Sequence, residues 1–269
     1  MKRNSILLLV IAALVAACAA PPPPVVTPRG EDAFLVDPRV GYDRAPAVPR
    51  AADDLEAAWR FFLAGDYERA HLRLVELRKR DAHYPPADLV DAAIAMRQGR
   101  LSEARTLLEN VPSYTAANVF RAELAYQEHD TRRALTLYRD VLRSPGAPAT
   151  AATRVAELEK TLFDQIYHDA LAASDSDAIP LLREALLLQP GARDARVLLA
   201  QKLVAVKHFD EARRELEPLL AGGDADRTDV QQALAEIDAG HGRFQEAIVR
   251  YDRLAHREHD PKYTRRVDE

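Results

Sequence analysis

Small and apolar positions recur with a long period from Ala51 onward. Aligned on a tight turn followed by alanine, Gly65-Asp66-Tyr67-Glu68-Arg69-Ala70 and Gly99-Arg100-Leu101-Ser102-Glu103-Ala104 match at a spacing of 34 residues. Weaker copies place the alanine at Ala134, Ala178, Ala212 and Ala247, so the successive spacings are 34, 30, 44, 34 and 35. Twelve residues before each alanine stand Ala58, Ala92, Ala122, Ile166, Ala200 and Ala235. Four residues after it come Leu74, Leu108, Tyr138, Leu182, Leu216 and Tyr251, and three further on Leu77, Val111, Val141, Ala185, Leu219 and Leu254. Intervals of three and four residues share one face of an α-helix. Each unit therefore predicts a helix, a tight turn and a second helix, with a small residue on each helix where the two cross.

Departures from the period carry their own predictions. The 44-residue interval is ten longer than the common one, and no Gly or Pro interrupts residues 149 to 173, which predicts an opening helix about three turns longer than its peers. Pro180 is expected in the first turn of a second helix, after a Ser176 or Asp177 cap, where its missing donor is harmless. Pro218 falls inside a second helix and predicts a kink or an early end. Asp260-Pro261 reads as a helix start, with residues 261–269 as the beginning of a capping helix. So short a remainder leaves two expectations: a frayed last helix, or a chain that is the scaffolding front part of a longer enzyme or cell-wall-binding protein.

The period and the small-residue pattern resemble the tetratricopeptide repeat over residues 51–260, with Ala or Ile in place of the family's glycine at the first-helix crossing. The resemblance implies an all-α fold, a right-handed superhelical solenoid of about six helix pairs in which each pair buries its open face on the next. It also implies a concave groove lined by first-helix positions. Carried over residue by residue, these are Leu55, Trp59, Phe62 and Leu63, then Leu89, Met96, Arg97, Val119, Glu123 and Tyr126. Phe163, Tyr167, Val197, Gln201 and Val204 follow, and the last unit offers Gln232 and Glu236. Such an aromatic and aliphatic trough suits an amphipathic helix or an extended apolar peptide of a partner protein. The family's clamp for chaperone C-terminal carboxylates uses Lys and Asn where this chain has Leu55 and Trp59, so that ligand class is not expected.

The first fifty residues are of another kind. Lys2 and Arg3 precede an uncharged apolar run from Ile6 to Ala17, too short for a finished membrane span and of the form of a secretory signal. Val15-Ala16-Ala17-Cys18 resembles a bacterial lipobox, in which cleavage exposes the cysteine for lipid attachment. Several acyl chains at about 0.8 kcal/mol per buried methylene would make membrane residence permanent. By the sorting pattern of Gram-negative lipoproteins, Ala19 rather than Asp implies delivery to the outer membrane. Residues 1–17 are thus expected to be a signal peptide, and 18–50, with eight of the chain's prolines, a lipidated cysteine and tether. Polyproline geometry gives that tether a reach of roughly 100 Å, with Phe34, Leu35, Val36 and Tyr42 as candidates for docking on the folded part.

Composition narrows the chemistry by exclusion. The 269-residue chain has ten glycines and 48% hydrophobic positions rich in alanine, which favours helices over sheets. One cysteine excludes an internal disulfide framework and a cysteine-based zinc site. A net charge of −5 argues against a nucleic-acid partner. The histidines are scattered, and even His256 and His259 with Asp260 lack a fourth ligand. No phosphate-cradling loop, nucleophile elbow or metalloprotease motif is present. The expected protein is a non-enzymatic, lipid-anchored periplasmic adaptor with no metal or cofactor. It is similar to lipoproteins that assist outer-membrane protein assembly or type IV pilus secretin assembly. Self-association through the ends of the repeat stack is a further expectation.

Overall fold

The computed structural model describes residues 34–268, so residues 1–17, expected to be a signal peptide, Cys18 and the first part of the proline-rich segment lie outside the described residues. Alanine at the predicted crossings is what lets two helices approach closely, and all six crossing pairs are buried, from Ala58 with Ala70 to Ala235 with Ala247. The larger apolar residues four and seven positions on, from Leu74 and Leu77 to Tyr251 and Leu254, are buried as well. Thirteen helices and no strand occur among the described residues. They form an α-solenoid of helix pairs, and none of them is long and apolar enough to cross a membrane.

Two compact units divide the chain at Val155 and Ala156. The first holds α1 (Pro49–Leu63) with α2 (Tyr67–Arg78), α3 (Pro85–Arg97) with α4 (Leu101–Glu109), and α5 (Thr115–Gln127) with α6 (Thr131–Leu142). It also takes the first turns of α7 (Ala149–Ala172). The second unit holds the rest of α7, then α8 (Asp175–Leu188), α9 (Arg193–Ala205) with α10 (Phe209–Ala221), α11 (Thr228–Gly240) with α12 (Phe244–Glu258), and α13 (Pro261–Asp268).

One turn closes five of the six pairs. The first helix ends on a residue with positive φ, at Gly65, Gly99, His129, Lys207 and Gly242. The next N–H reaches back to a carbonyl five residues earlier: Asp66 to Phe61, Arg100 to Ala95, Asp130 to Ala125, His208 to Leu203 and Arg243 to Asp238, at 2.8–3.0 Å. This is the Schellman arrangement, which satisfies helix-end carbonyls and turns the chain sharply into the second helix. Asp66 and Asp130 then cap that helix through their carboxylates, each accepting a backbone N–H at 3.0 Å.

The predicted irregularities resolve as follows. Helix α7 has 24 residues against 13 to 15 for the other first helices, as the long interval required. Pro180 is not in a first turn: α8 begins earlier, capped by the Ser174 hydroxyl, which accepts the Asp177 N–H. Ser176 and Asp177 are therefore inside the helix. Pro218 does not end α10, which continues to Ala221. The last helix α13 is short, starts with the Asp260 carboxylate accepting the Lys262 N–H at 2.9 Å, and buries Tyr263 against Ala235, Tyr251 and Leu254.

The apolar residues of the proline-rich segment dock on the folded part. Residues 34–48 are not a free spacer but a strap on the first unit: Leu35 joins its core, and Val36, Val40 and Tyr42 pack against it.

Candidate protein-interaction site

Most of the expected groove wall is core. Leu55, Trp59 and Phe62 on α1, Leu89 and Met96 on α3 and Val119 on α5 are all buried, Trp59 being the most open of them at 8%. The Trp59 ring stacks on Phe62 at 5.0 Å and lies 6.3 Å from Phe120. The reason is local packing. Alanines at 58, 92, 93, 116, 117 and 122 let the helices of this unit approach until their apolar positions interdigitate, and the strap adds a further layer. Arg97 and Tyr126 remain half-buried.

Tyr126 belongs to a cluster that pattern reading missed. The Arg154 guanidinium lies between the Phe34 and Tyr126 rings, 3.6 and 3.8 Å from their centroids. It faces the Glu123 carboxylate at 3.4 Å, which also accepts the Tyr138 hydroxyl at 2.6 Å. Burial alone would lower the Arg154 pKa, but the Glu123 charge holds it above its ordinary value. Burial, with the Glu123 charge next, pushes the Tyr138 phenol far up, so it stays a donor. The signal in the sequence was a Glu on an otherwise apolar helix face, and its partner lies 31 residues away, beyond any local period.

The strap is held at several further points. The Ala116 N–H donates to the Val40 carbonyl at 2.9 Å and the Tyr114 hydroxyl to the Pro38 carbonyl at 3.1 Å. Tyr42 packs its ring on Tyr84 and Tyr114, with centroids 5.7 and 4.9 Å away. The buried Asp81 accepts the Ala47 N–H at 2.9 Å. Gly41 has φ +79°, and a Cβ there would collide with Thr115, so this bend needs glycine.

The second unit presents the same register differently. Phe163 and Tyr167 on α7 stack with rings 5.8 Å apart and only 6° from parallel, half-buried on the unit's core. Gln201 and Val204 on α9 and Gln232 and Glu236 on α11 are also half-buried, while Val197 is core. Burial, then the Asp194 charge, raises the Tyr167 pKa, so this ring keeps its hydroxyl proton as a donor. The site thus runs from an aromatic step to amide and carboxylate groups on successive first helices. Among the described residues no group of His, Cys, Asp or Glu is placed to hold a metal ion.

The comparisons bear on this repeat register. Residues 176–237 match the model of the tetratricopeptide repeat family. Over that span the chain is similar to tetratricopeptide-repeat proteins. Such repeats build protein-interaction scaffolds, and proteins made of them are generally not enzymes. None of the curated proteins compared matches the chain. Among solved structures, the tetratricopeptide-repeat domain of P58(IPK) is similar at 17% identity and a TM-score of 0.38, over 81% of this chain and 64% of that one. This chain therefore spans just under two thirds of that domain. TTC0263, a thermophilic repeat protein of Thermus thermophilus, is similar at 18% identity and a TM-score of 0.30, over 81% of this chain and 97% of that one.

Proposed function

We propose that this protein is a lipid-anchored scaffold on the periplasmic face of the outer membrane, recruiting a partner protein in envelope, pilus or secretin assembly. The observation that carries the recruiting role is the half-buried Phe163–Tyr167 stack on the first-helix side of the second unit. Aromatic rings that are already ordered add large contact area at low entropic cost, and such residues dominate protein interfaces. Gln201, Gln232 and Glu236 in the same register supply the polar contacts that fix a bound segment's orientation. Changing Phe163 and Tyr167 to Ala is expected to abolish capture of the envelope partner with helical circular dichroism unchanged. Retained capture by that variant contradicts the assignment.

The location rests on the Val15-Ala16-Ala17-Cys18 motif after a basic start and an apolar run. Labelling with a radioactive fatty acid is expected to mark the protein at Cys18 and to vanish in Cys18→Ser, with the protein moving from the membrane to the soluble fraction. Because residues 34–48 are docked, only Ala19 to Asp32 and a neighbour or two remain as spacer. At about 3.1 Å per residue the first unit then stands within roughly 50 Å of the bilayer rather than 100 Å.

A further inference from the structure

We infer that residues 34–48 are an intramolecular occupant of the first unit's partner-binding side, and that they lift off to admit an extended partner segment of the same chemistry: an aromatic, two aliphatics, a proline turn and a tyrosine. The inference rests on reading the first-helix side as the partner-binding surface. Most strap partners support the placement, the exception being Asp81 in the loop between α2 and α3. Tyr84, Tyr114, Thr115, Ala116, Tyr126 and Arg154 all lie on the first helix of a pair or at its N-cap. Tyr126, which shares Arg154 with Phe34, occupies the register that Val204 holds half-buried in the second unit.

The strap adds Leu35 to the core, but the crossing positions of the paired helices, Ala58 with Ala70, Ala92 with Ala104 and Ala122 with Ala134, are helix residues throughout. The strap's burial is limited although its contacts are several. Leu35 and Pro38 are the buried side chains, Asp43 to Val48 is mostly exposed, and the backbone reaches the unit through Val40, Pro38 and Ala47. Ordering such an irregular segment offsets most of what so little burial contributes, which puts strap opening at the low end of the local unfolding scale. Phe34 closes over Arg154 on one side only. When it lifts, the guanidinium keeps Glu123 and gains water, so opening strands no buried charge.

Amide hydrogen exchange on the full chain tests this directly. The Ala116 N–H sits in the first turn of α5, has no acceptor within that helix and is bonded to Val40. Opening of the strap alone would expose it. It is expected to exchange at least about a hundredfold faster than Phe120 in the same helix. Exchange at the Phe120 rate, only with global unfolding, overturns the inference. A second measurement uses a fluorescent peptide of residues 34–48 and the full chain carrying Leu35→Asp and Tyr42→Ala. The peptide is expected to bind this variant at least about tenfold tighter than wild type, whose own strap competes at high effective concentration. No binding to the folded variant, or loss of its helical circular dichroism, overturns the inference. Neither result bears on whether Phe163 and Tyr167 bind a partner, so the two readings fail separately.

Discussion

Glu123 and Arg154 meet as a buried ion pair at 3.4 Å, with side chains 0% and 4% exposed. Such a pair owes its stability to the hydrogen bonds and rings around it as much as to its charges, because both ions have left water. Removing one partner leaves the other charge stranded. Arg154→Met is expected to lower unfolding free energy by about 3–5 kcal/mol. Adding Glu123→Gln, which keeps an acceptor for Tyr138, is expected to recover most of that loss. Urea denaturation of the two singles and the double measures the coupling, and additive losses would contradict the pairing.

His129 and Lys207 adopt positive φ, of 60° and 65°, where the other Schellman turns use glycine. A side chain in this region costs about 1 kcal/mol relative to glycine. His129→Gly and Lys207→Gly are each expected to raise the melting temperature by a few degrees, an increment of about 0.5–1 kcal/mol. The reverse change at Gly65, where a Cβ meets nothing within 4 Å, isolates the backbone effect: Gly65→Ala is expected to destabilise by a similar amount.

Asp238 is buried and accepts from Arg243 at 2.7 Å and Arg250 at 2.9 Å, with Arg213 at 3.6 Å. Burial pushes its pKa up, but the arginines outweigh it and hold the carboxyl below its ordinary value. A depressed acid stabilises the fold above its unfolded pKa of about 3.9, and that contribution is lost as pH falls through the lower folded value. Asp238→Asn is expected to be less stable by about 1–3 kcal/mol at neutral pH. Its stability is also expected to fall less steeply than wild type below pH 4, as thermal melts between pH 5 and pH 3 will show. Parallel wild-type and variant profiles would contradict the assignment.

Gly240 ends α11 against the ring of Phe209, which also lies 5.6 Å from His241. A Cβ at 240 would overlap that ring. Gly240→Ala is therefore expected to destabilise by about 1–3 kcal/mol although alanine is the better helix former. Pairing it with Phe209→Leu, which shortens the opposing side chain, is expected to restore part of the loss.

The helix pairs were legible because their crossing residues must be small: Ala58, Ala92 and Ala122 recur whatever surrounds them. Even Ile166, the large exception, keeps the register. Phe34, Leu35 and Tyr42 stood out as apolar residues in a proline-rich segment, and they dock. The groove was less legible. Periodicity says that Leu55, Leu89 and Val119 share an apolar face, but not whether the next helix covers it, and here they are core. Pro180 was misplaced because the Ser174 cap starts α8 earlier than Ser176 would. Glu123 stood out as a carboxylate on an apolar face, but its pairing with Arg154 was not legible, since a side-chain contact between neighbouring repeats has no period of its own.

Site-specific photocrosslinking in the intact envelope tests the central claim most directly. A photoreactive amino acid at Tyr167 and one at Gln201 are expected to capture the same partner protein, with capture at Gln201 lost on Phe163→Ala. The same probe at Leu187, on a second helix and 81% exposed, is expected to capture nothing comparable. Equal capture from Leu187, or none from Tyr167 and Gln201, would contradict a scaffold that works through its first-helix face.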